Sequence, residues 1–93
     1  MLQVSEEELR AAAKQKVEPE YPAVARQIRL EGEVELLVGI DPAGAVEQVN
    51  VVHGNTLLVG SSIQAVKKWK FTPFQSDGAS VHAVGKLKFH FQM

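Results

Sequence analysis

The stretch "EPEYPAVARQIRLEGEVELLVGIDPAG", residues 18–44, decides most of the fold. Residues 33–41 alternate between apolar and other side chains, which is typical of a half-buried strand. The following DPAG sequence has proline at the second and glycine at the fourth position of a turn. Apolar residues resume at Val46, and their phase slips before Val49, which indicates a bulge. The pattern predicts a β-hairpin. The apolar side of its first strand consists of Val34, Leu36, Val38 and Ile40.

A short helix is predicted just before this hairpin, over residues 23–30. Pro22 can occupy the first position of a helix, because its missing N–H has no partner there in any case. Val24 and Ile28 would face the core, and Gly32 is placed to end the helix.

The N-terminus carries the signature of a second helix, over residues 6–16. Ser5 followed by Glu8 matches a capping box, in which each side chain bonds the other residue's backbone N–H. The apolar face of this helix is only Leu9 and alanines, so we expect a weakly held segment. The chain is therefore divided into an N-terminal helical extension, residues 1–16, and a domain, residues 17–93.

The second half of the chain predicts one more helix and one long strand. Asn55 or Thr56 can cap a helix over residues 57–69, whose apolar stripe ends at Trp69. The strand covers residues 81–91 and has a polar outer face. The predicted fold is α+β, a small antiparallel three-stranded sheet with two helices packed on one face, plus the N-terminal helical extension. The apolar face of the last strand is Val81, Ala83, Gly85, Leu87, Phe89 and Phe91.

Composition places the chain among ordinary soluble globular domains. It has 93 residues, 45% of them hydrophobic and 23% charged, with no cysteine. Residues 1–47 hold ten acidic and five basic side chains, whereas residues 48–93 hold five lysines and one aspartate. This asymmetry indicates a dipolar surface rather than a binder of polyanions. The first ten residues have no apolar core of a signal peptide, so any export signal or anchor is expected on other sequence.

Candidate chemistry is sparse. His82 and His90 share a strand face but lie about 26 Å apart at about 3.3 Å per residue, too far for one ion. The sequence does not place His53 near either of them, so we expect no metal site and no cofactor. No catalytic serine context or phosphate loop is present, and we expect no enzyme activity. Cations are favoured at a helix C-terminus, which accounts for the basic cluster without nucleic acid. That cluster is Lys67, Lys68 and Lys70.

Six short motifs occur in a fixed order: YP before a helix, EGEV opening a strand, DPAG in the turn, AVKKWKFTPF ending a helix, DG in a turn, and KLKFHF in the last strand. This series resembles the C-terminal domain of the TonB family, the energy-transducing proteins of Gram-negative envelopes, over about residues 17–93. The resemblance implies a three-stranded antiparallel sheet with two helices on one face, in agreement with the fold predicted from the residues.

The resemblance also implies partners and a location. It implies a periplasmic domain, anchored in the inner membrane in the full-length protein, that grips the TonB box of outer-membrane transporters. Force from a proton-channel complex of the inner membrane, reached through sequence not present here, would open the transporter to siderophore or cobalamin-type nutrients. Two alternatives stay open. The first is an interaction module of another envelope system, Tol-like, secretin-like or a sensor. The second is a homodimer formed through the last strand.

The peptide-binding residues are carried over from the family. The box pairs with the edge of the last strand, and the segment before the YP motif also touches it. Well-known members have glutamine at the position of Glu18, so this contact is expected to differ here. For Tyr21 the alternative is a structural role, with its ring packed on the core. The implied site residues are Glu18, Pro19, Glu20, Tyr21 and Pro22, and on the last strand Val84, Lys86, Lys88 and His90.

Overall fold

The computed structural model describes all 93 residues as three helices and eight strands. None of the helices combines the length and the apolar character needed to cross a membrane. In chain order the elements are β1 (Leu2–Gln3), α1 (Glu6–Ala12), β2 (Ala13–Gln15), α2 (Ala23–Gln27), β3 (Gly32–Ile40), β4 (Val46–His53), α3 (Thr56–Val66), β5 (Lys70–Phe71), β6 (Gln75–Ser76), β7 (Ala79–Ser80) and β8 (Ala83–Phe91).

The main sheet has the strand order β1-β8-β3-β4. The central strand β3 runs antiparallel to β4 on one side and to β8 on the other, while β1 runs parallel to β8. Two small two-stranded sheets pair β2 with β5 and β6 with β7. The predicted α+β class is confirmed. The predicted count of three strands is wrong, because residues 2 and 3 of the N-terminal segment join the sheet as a fourth strand.

One face of this sheet carries the hydrophobic core. β3 and β8 contribute every second residue to it, as their alternating sequences predicted. All three helices contribute buried residues to the same cluster, so a third helix, α1, joins the two that were predicted on this face. The cluster consists of Val4, Leu9, Ala25, Val34, Leu36, Val38, Ile40, Leu58, Val66, Trp69, Phe71, Ala83, Leu87, Phe89 and Phe91.

The β3–β4 turn is stabilised by its first residue. The Asp41 carboxylate accepts hydrogen bonds from the N–H groups of Ala43 and Ala45, both at 2.9 Å. Gly44 has φ of 91°, and a Cβ there would lie 2.0 Å from the Phe71 carbonyl oxygen. Glycine is therefore required at this position for both its conformation and its size.

β4 forms the opposite edge of the sheet, and most of its residues are exposed. Gly39 pairs with Gln48 and Ile40 with Val46, so Glu47 is the extra residue of a bulge. The predicted bulge is confirmed. Such irregularities limit edge-to-edge pairing with other chains.

The N-terminal segment is part of the core. The predicted capping box of α1 is present, because Ser5 Oγ accepts the Glu8 N–H at 3.1 Å and the Glu8 carboxylate accepts the Ser5 N–H at 3.0 Å. Leu9 is fully buried, and β2 pairs with β5 just after the helix. The expectation of a weakly held segment is therefore wrong, because the sequence does not reveal that Leu9 has a place in the core. The division of the chain at residue 16 stays a prediction.

Helix α2 spans only five residues and ends earlier than expected. Val24 and Ile28 are 56% and 62% exposed, so the prediction that they face inward is wrong. The buried residue is Ala25. A helix of little more than one turn presents a narrow face to the core, and the small alanine allows a close approach.

The end of α2 uses arginine where glycine was expected. The Leu30 N–H donates to the Ala25 carbonyl at 2.8 Å, across Arg29 with φ of 54°. This is a Schellman motif with a left-handed residue other than glycine, which costs about 1–2 kcal/mol. Gly32 does not end the helix but begins β3.

Helix α3 begins at the predicted cap, because the Asn55 side chain accepts the Leu57 N–H at 2.9 Å. The helix ends at Val66, three residues before the end that the apolar stripe predicted. Trp69 is nevertheless buried, as expected, and its indole N–H donates to the Val17 carbonyl at 3.0 Å. This bond joins the start of the family-like region to the core.

Candidate functional site

The outward edge of β8 carries the candidate residues of the last strand. Odd-numbered side chains of β8 are buried, and even-numbered ones face away from the core. Backbone groups alternate in the same way, so the even-numbered residues also turn their N–H and C=O groups away from β3. The Val84 carbonyl and both backbone groups of Lys88 bond to residues outside β3, which agrees with this orientation.

The beginning of this edge is covered by the chain's own N-terminus. β1 pairs in parallel with β8, Gln3 lying opposite Val84. The Leu2 N–H donates to the His82 carbonyl and the Val4 N–H to the Val84 carbonyl, both at 2.9 Å. The edge predicted to be open is therefore partly occupied.

Two side chains of α1 complete the coverage further along β8. The Glu6 carboxylate accepts the Lys88 N–H at 3.0 Å, and the Arg10 guanidinium donates to the Lys88 carbonyl at 2.6 Å. Arg10 also pairs with Glu6 at 3.1 Å. The two side chains satisfy both backbone groups of Lys88, as a neighbouring strand would. We refer to residues 2–10 as the N-terminal cover.

A groove separates the two parts of this coverage. Its volume is about 460 Å³, and Lys86 is one of the residues that line it. No backbone bond between the N-terminal cover and Lys86 bridges the groove. The lining consists of residues 3–6 of the N-terminal cover together with Leu37, Val84, Gly85 and Lys86.

Gly85 is the residue that allows the N-terminal cover to lie so close to β8. A Cβ at this position would lie 2.7 Å from the Val4 carbonyl oxygen and 2.9 Å from Leu9 Cδ1. Any side chain would therefore collide with the N-terminal cover. Glycine in a strand interior often marks such a close approach of another backbone.

Positive charge lines the outer face beside this edge. Lys86 is exposed and Lys88 half-buried, and neither forms an ion pair, although Lys88 lies opposite Glu35 in the sheet register. His90 is exposed, with its Nδ1 3.4 Å from the Glu33 carboxylate. The two lysines are thus free to attract an acidic chain, whereas His90 already has an acidic neighbour.

The second candidate segment, residues 18–22, is held mainly by Tyr21. Its hydroxyl donates to the Leu30 carbonyl, and its ring meets that of Phe91 edge to face, with centroids 5.5 Å apart. These contacts agree with the structural alternative for Tyr21. They also place residues 18–22 beside Phe91, the last residue of β8. Pro19 and Pro22, on either side of Tyr21 in the sequence, are half-buried.

Glu18 and Glu20 lie in a different groove from Lys86. They are exposed and line a space of about 290 Å³ beside α3, with Gln64 and Lys68 among the other lining residues. This groove shares no residue with the one over Lys86. The two carboxylates and the β8 lysines therefore do not converge on one groove.

His53 and His90 lie beside the same acidic residue, which the sequence did not indicate. His53 Nε2 lies 3.8 Å from the Glu33 carboxylate and 3.6 Å from that of Glu35, so His53 and His90 share Glu33 as a neighbour. The proximity arises because β3 pairs with β4, which carries His53, and with β8, which carries His90. It could not be predicted from positions along the sequence. No three histidine or acidic side chains converge where they could hold a metal ion.

Several residues of the β8 edge were missed in the sequence. Val4, Glu6 and Arg10 contact β8 from a segment that was expected to lie outside the domain. Gly85 is the one residue of the sequence that could have indicated these contacts, because a glycine on the apolar face of a strand often marks the close approach of another backbone.

Comparison with known proteins decides the family. The model of the family described as "Gram-negative bacterial TonB protein C-terminal" matches residues 17–93. The chain belongs to the TonB C-terminal family. This family consists of energy transducers for transport and is not a known enzyme family.

Two relatives illustrate how far the similarity to TonB extends. The chain is 36% identical over 67 residues to "Protein TonB" of Vibrio cholerae serotype O1, a match that covers 70% of this chain. It spans only 28% of the length of that relative. The solution NMR structure of the Pseudomonas aeruginosa TonB CTD superposes with a TM-score of 0.74 at 26% identity, over 87% of this chain and 84% of that one.

Proposed function

We propose that this TonB C-terminal domain binds the TonB box of outer-membrane transporters as an added strand along β8. The observation that carries the proposal is the outward edge of β8. Only the two-residue strand β1 and the side chains of Glu6 and Arg10 bond to this edge of the nine-residue strand β8. Lys86, between these contacts, lines a groove. Family membership supports a partner in the outer membrane.

Strand addition suits a domain that must hold peptides of differing sequence under load. Main-chain hydrogen bonds supply affinity that depends little on the peptide's side chains, and several bonds in a row share a pulling force. Lys86 and Lys88 would then adjust preference toward acidic peptides, and His90, which lies 3.4 Å from the Glu33 carboxylate, would contribute less. Each exposed ion pair contributes under about 1 kcal/mol, so charge selects among peptides but does not dominate binding.

A second contact is proposed at residues 18–22. Tyr21 fixes this segment against Phe91 at the end of β8, so a long peptide leaving that end would pass beside it. Glu18 and Glu20 are exposed and unpaired in the separate groove beside α3, and would meet basic residues of a peptide that continues past Tyr21 into that groove.

The wider role follows from the family. We propose a periplasmic location, with an inner-membrane anchor and a contact to a proton-channel complex on sequence beyond this chain. Pulling on the bound box would pass proton-motive energy to the transporter for uptake of siderophore or cobalamin-type nutrients. The chain spans 28% of the length of the V. cholerae relative, so the anchor and the proton-channel contact are proposed on the family relation alone.

The Lys86 backbone N–H provides a direct test. Lys86→Pro removes this outward donor and places a ring in the path of an added strand, while edge strands tolerate proline with its nitrogen facing out. Lys86→Ala is the matched control, because it removes the charge and keeps the N–H. Anisotropy titration of a fluorescein-labelled TonB-box peptide should give about tenfold weaker binding for the proline variant. Binding by Lys86→Pro as tight as by Lys86→Ala would contradict strand addition.

A further inference from the structure

We propose that the N-terminal cover is an internal competitor for the peptide-binding edge, which a peptide must displace in order to pair along β8. This inference rests on the proposed function and adds a regulation to it. The N-terminal cover already uses edge groups that a peptide needs. The Val84 carbonyl accepts the Val4 N–H at 2.9 Å, and the Lys88 N–H is donated to Glu6 at 3.0 Å.

The N-terminal cover holds the edge less completely than a peptide strand would. Its backbone pairing is parallel and two residues long, and parallel pairs are slightly less stable per residue. Glu6 and Arg10 are 32% and 41% exposed, so water competes for their bonds to Lys88. A peptide paired along the whole edge would replace these side-chain contacts with main-chain bonds and would reach Lys86 as well.

Release of the N-terminal cover should be cooperative. α1 has seven residues, and isolated helices below about 12–15 residues are marginal in water. Its anchors are Leu9, fully buried, and Val4, 8% exposed. Once these two side chains leave the core, α1 keeps only its capping box and the Arg10–Glu6 pair, which are too little for seven residues, and it should unfold.

The released N-terminal cover would stay near its site. β2 pairs with β5 immediately after α1, and the Thr72 N–H donates to the Ala12 carbonyl at 2.8 Å. A tethered competitor acts at a high effective concentration, which is in the millimolar range for short linkers. The N-terminal cover would thus close again when the peptide leaves, and would keep the edge from pairing with unrelated chains.

Trp69 reports the position of the N-terminal cover without any peptide label. It is the only tryptophan, it is buried, and the Arg10 guanidinium lies 5.9 Å from its ring centroid. Leu9 belongs to the same core cluster. Opening should therefore expose the indole and move its emission to longer wavelength.

A reversible lock tests the competition. Gln3→Cys and Val84→Cys are opposite each other in the β1–β8 register, and the chain has no other cysteine. Neighbouring strands lie about 4.7–4.9 Å apart, within the Cα separation of a disulfide. The matched control is Gln75→Cys with Ser80→Cys, which are opposite each other in the β6–β7 pair. Each variant, oxidised and reduced, is titrated with a fluorescein-labelled TonB-box peptide while Trp69 emission is followed.

The oxidised lock should bind at least about tenfold more weakly than its own reduced form and show no shift of Trp69 emission, because the binding-competent fraction is removed. The control should bind equally in both redox states. As an opposite perturbation, Arg10→Ala should tighten binding severalfold, because it removes the half-buried guanidinium that donates to the Lys88 carbonyl and so weakens the N-terminal cover.

Three results would overturn the inference. Equal binding by the oxidised and reduced lock contradicts the competition alone and leaves the proposed function standing. Failure of Gln3→Cys and Val84→Cys to oxidise contradicts the register on which the N-terminal cover depends. Absence of binding by every form, wild type included, contradicts the proposed function and the competition with it.

Discussion

Replacing Gly85 by alanine should strain the N-terminal cover while leaving the polar edge of β8 unchanged. The added Cβ would lie 2.7 Å from the Val4 carbonyl oxygen and 2.9 Å from Leu9 Cδ1. Leu9 can change its rotamer, but the Val4 oxygen belongs to the backbone and cannot rotate away. The N-terminal cover must therefore shift outward or leave.

The size of the effect follows from two opposing contributions. Alanine is favoured over glycine inside a strand by about 0.5–1 kcal/mol, because glycine loses more backbone entropy on folding. Overpacking costs about 1–3 kcal/mol. Complete loss of the N-terminal cover would instead give up the burial of Val4 and Leu9, each about 1.5–3 kcal/mol. The molecule takes the less costly response, so we expect Gly85→Ala to lower the free energy of unfolding by about 0.5–2 kcal/mol.

Urea unfolding followed by far-ultraviolet circular dichroism measures this loss. Gly60→Ala is the matched control, because it lies in α3 with nothing within 4 Å of the added Cβ. The control should gain about 0.5–1 kcal/mol from its better helix propensity. A Gly85→Ala variant as stable as the wild type, measured beside a Gly60→Ala variant that shows its gain, would contradict the close approach of Val4 to β8.

Further substitutions test other contacts by the same unfolding assay. Leu9→Ala should lower the free energy of unfolding by about 2–5 kcal/mol, whereas Leu57→Ala, at a residue 42% exposed, should cost under about 1 kcal/mol; equal effects would contradict the burial of Leu9 in the core. Gly44→Ala should cost about 2–4 kcal/mol, because φ is 91° and a carbonyl oxygen lies 2.0 Å from the added Cβ; a neutral result would contradict the turn geometry. Trp69→Phe should cost about 1–3 kcal/mol, because it leaves the Val17 carbonyl without its 3.0 Å donor, and an unchanged midpoint would argue against that bond.

The sequence predicted the elements that depend on local pattern. Three features could be predicted because each depends on only a few neighbouring residues. They are the alternation in β3 and β8, the turn that begins at Asp41, and the Asn55 cap of α3. The bulge around Glu47 was also readable, because a slip in the apolar phase changes which face each later side chain occupies.

The contacts between segments that are distant in the sequence could not be predicted from it. Nothing near Leu9 indicates that it enters a core built from β3 and β8, because that depends on the close approach that Gly85 permits. Arg29 adopts the left-handed conformation in place of the expected glycine, because the surrounding fold outweighs its local preference. The N-terminal cover occupies the edge of β8 through the same long-range packing. The sequence therefore predicted the strand but not the N-terminal cover.

The most direct test of strand addition is the set of intermolecular NOEs between a TonB-box peptide and the isotope-labelled domain. We expect contacts between the peptide backbone and the Lys86 and Lys88 amides, together with loss of the native NOEs between Val4 and Val84. Contacts confined to β4, or to the groove beside α3, with the Val4–Val84 NOEs intact, would contradict the account.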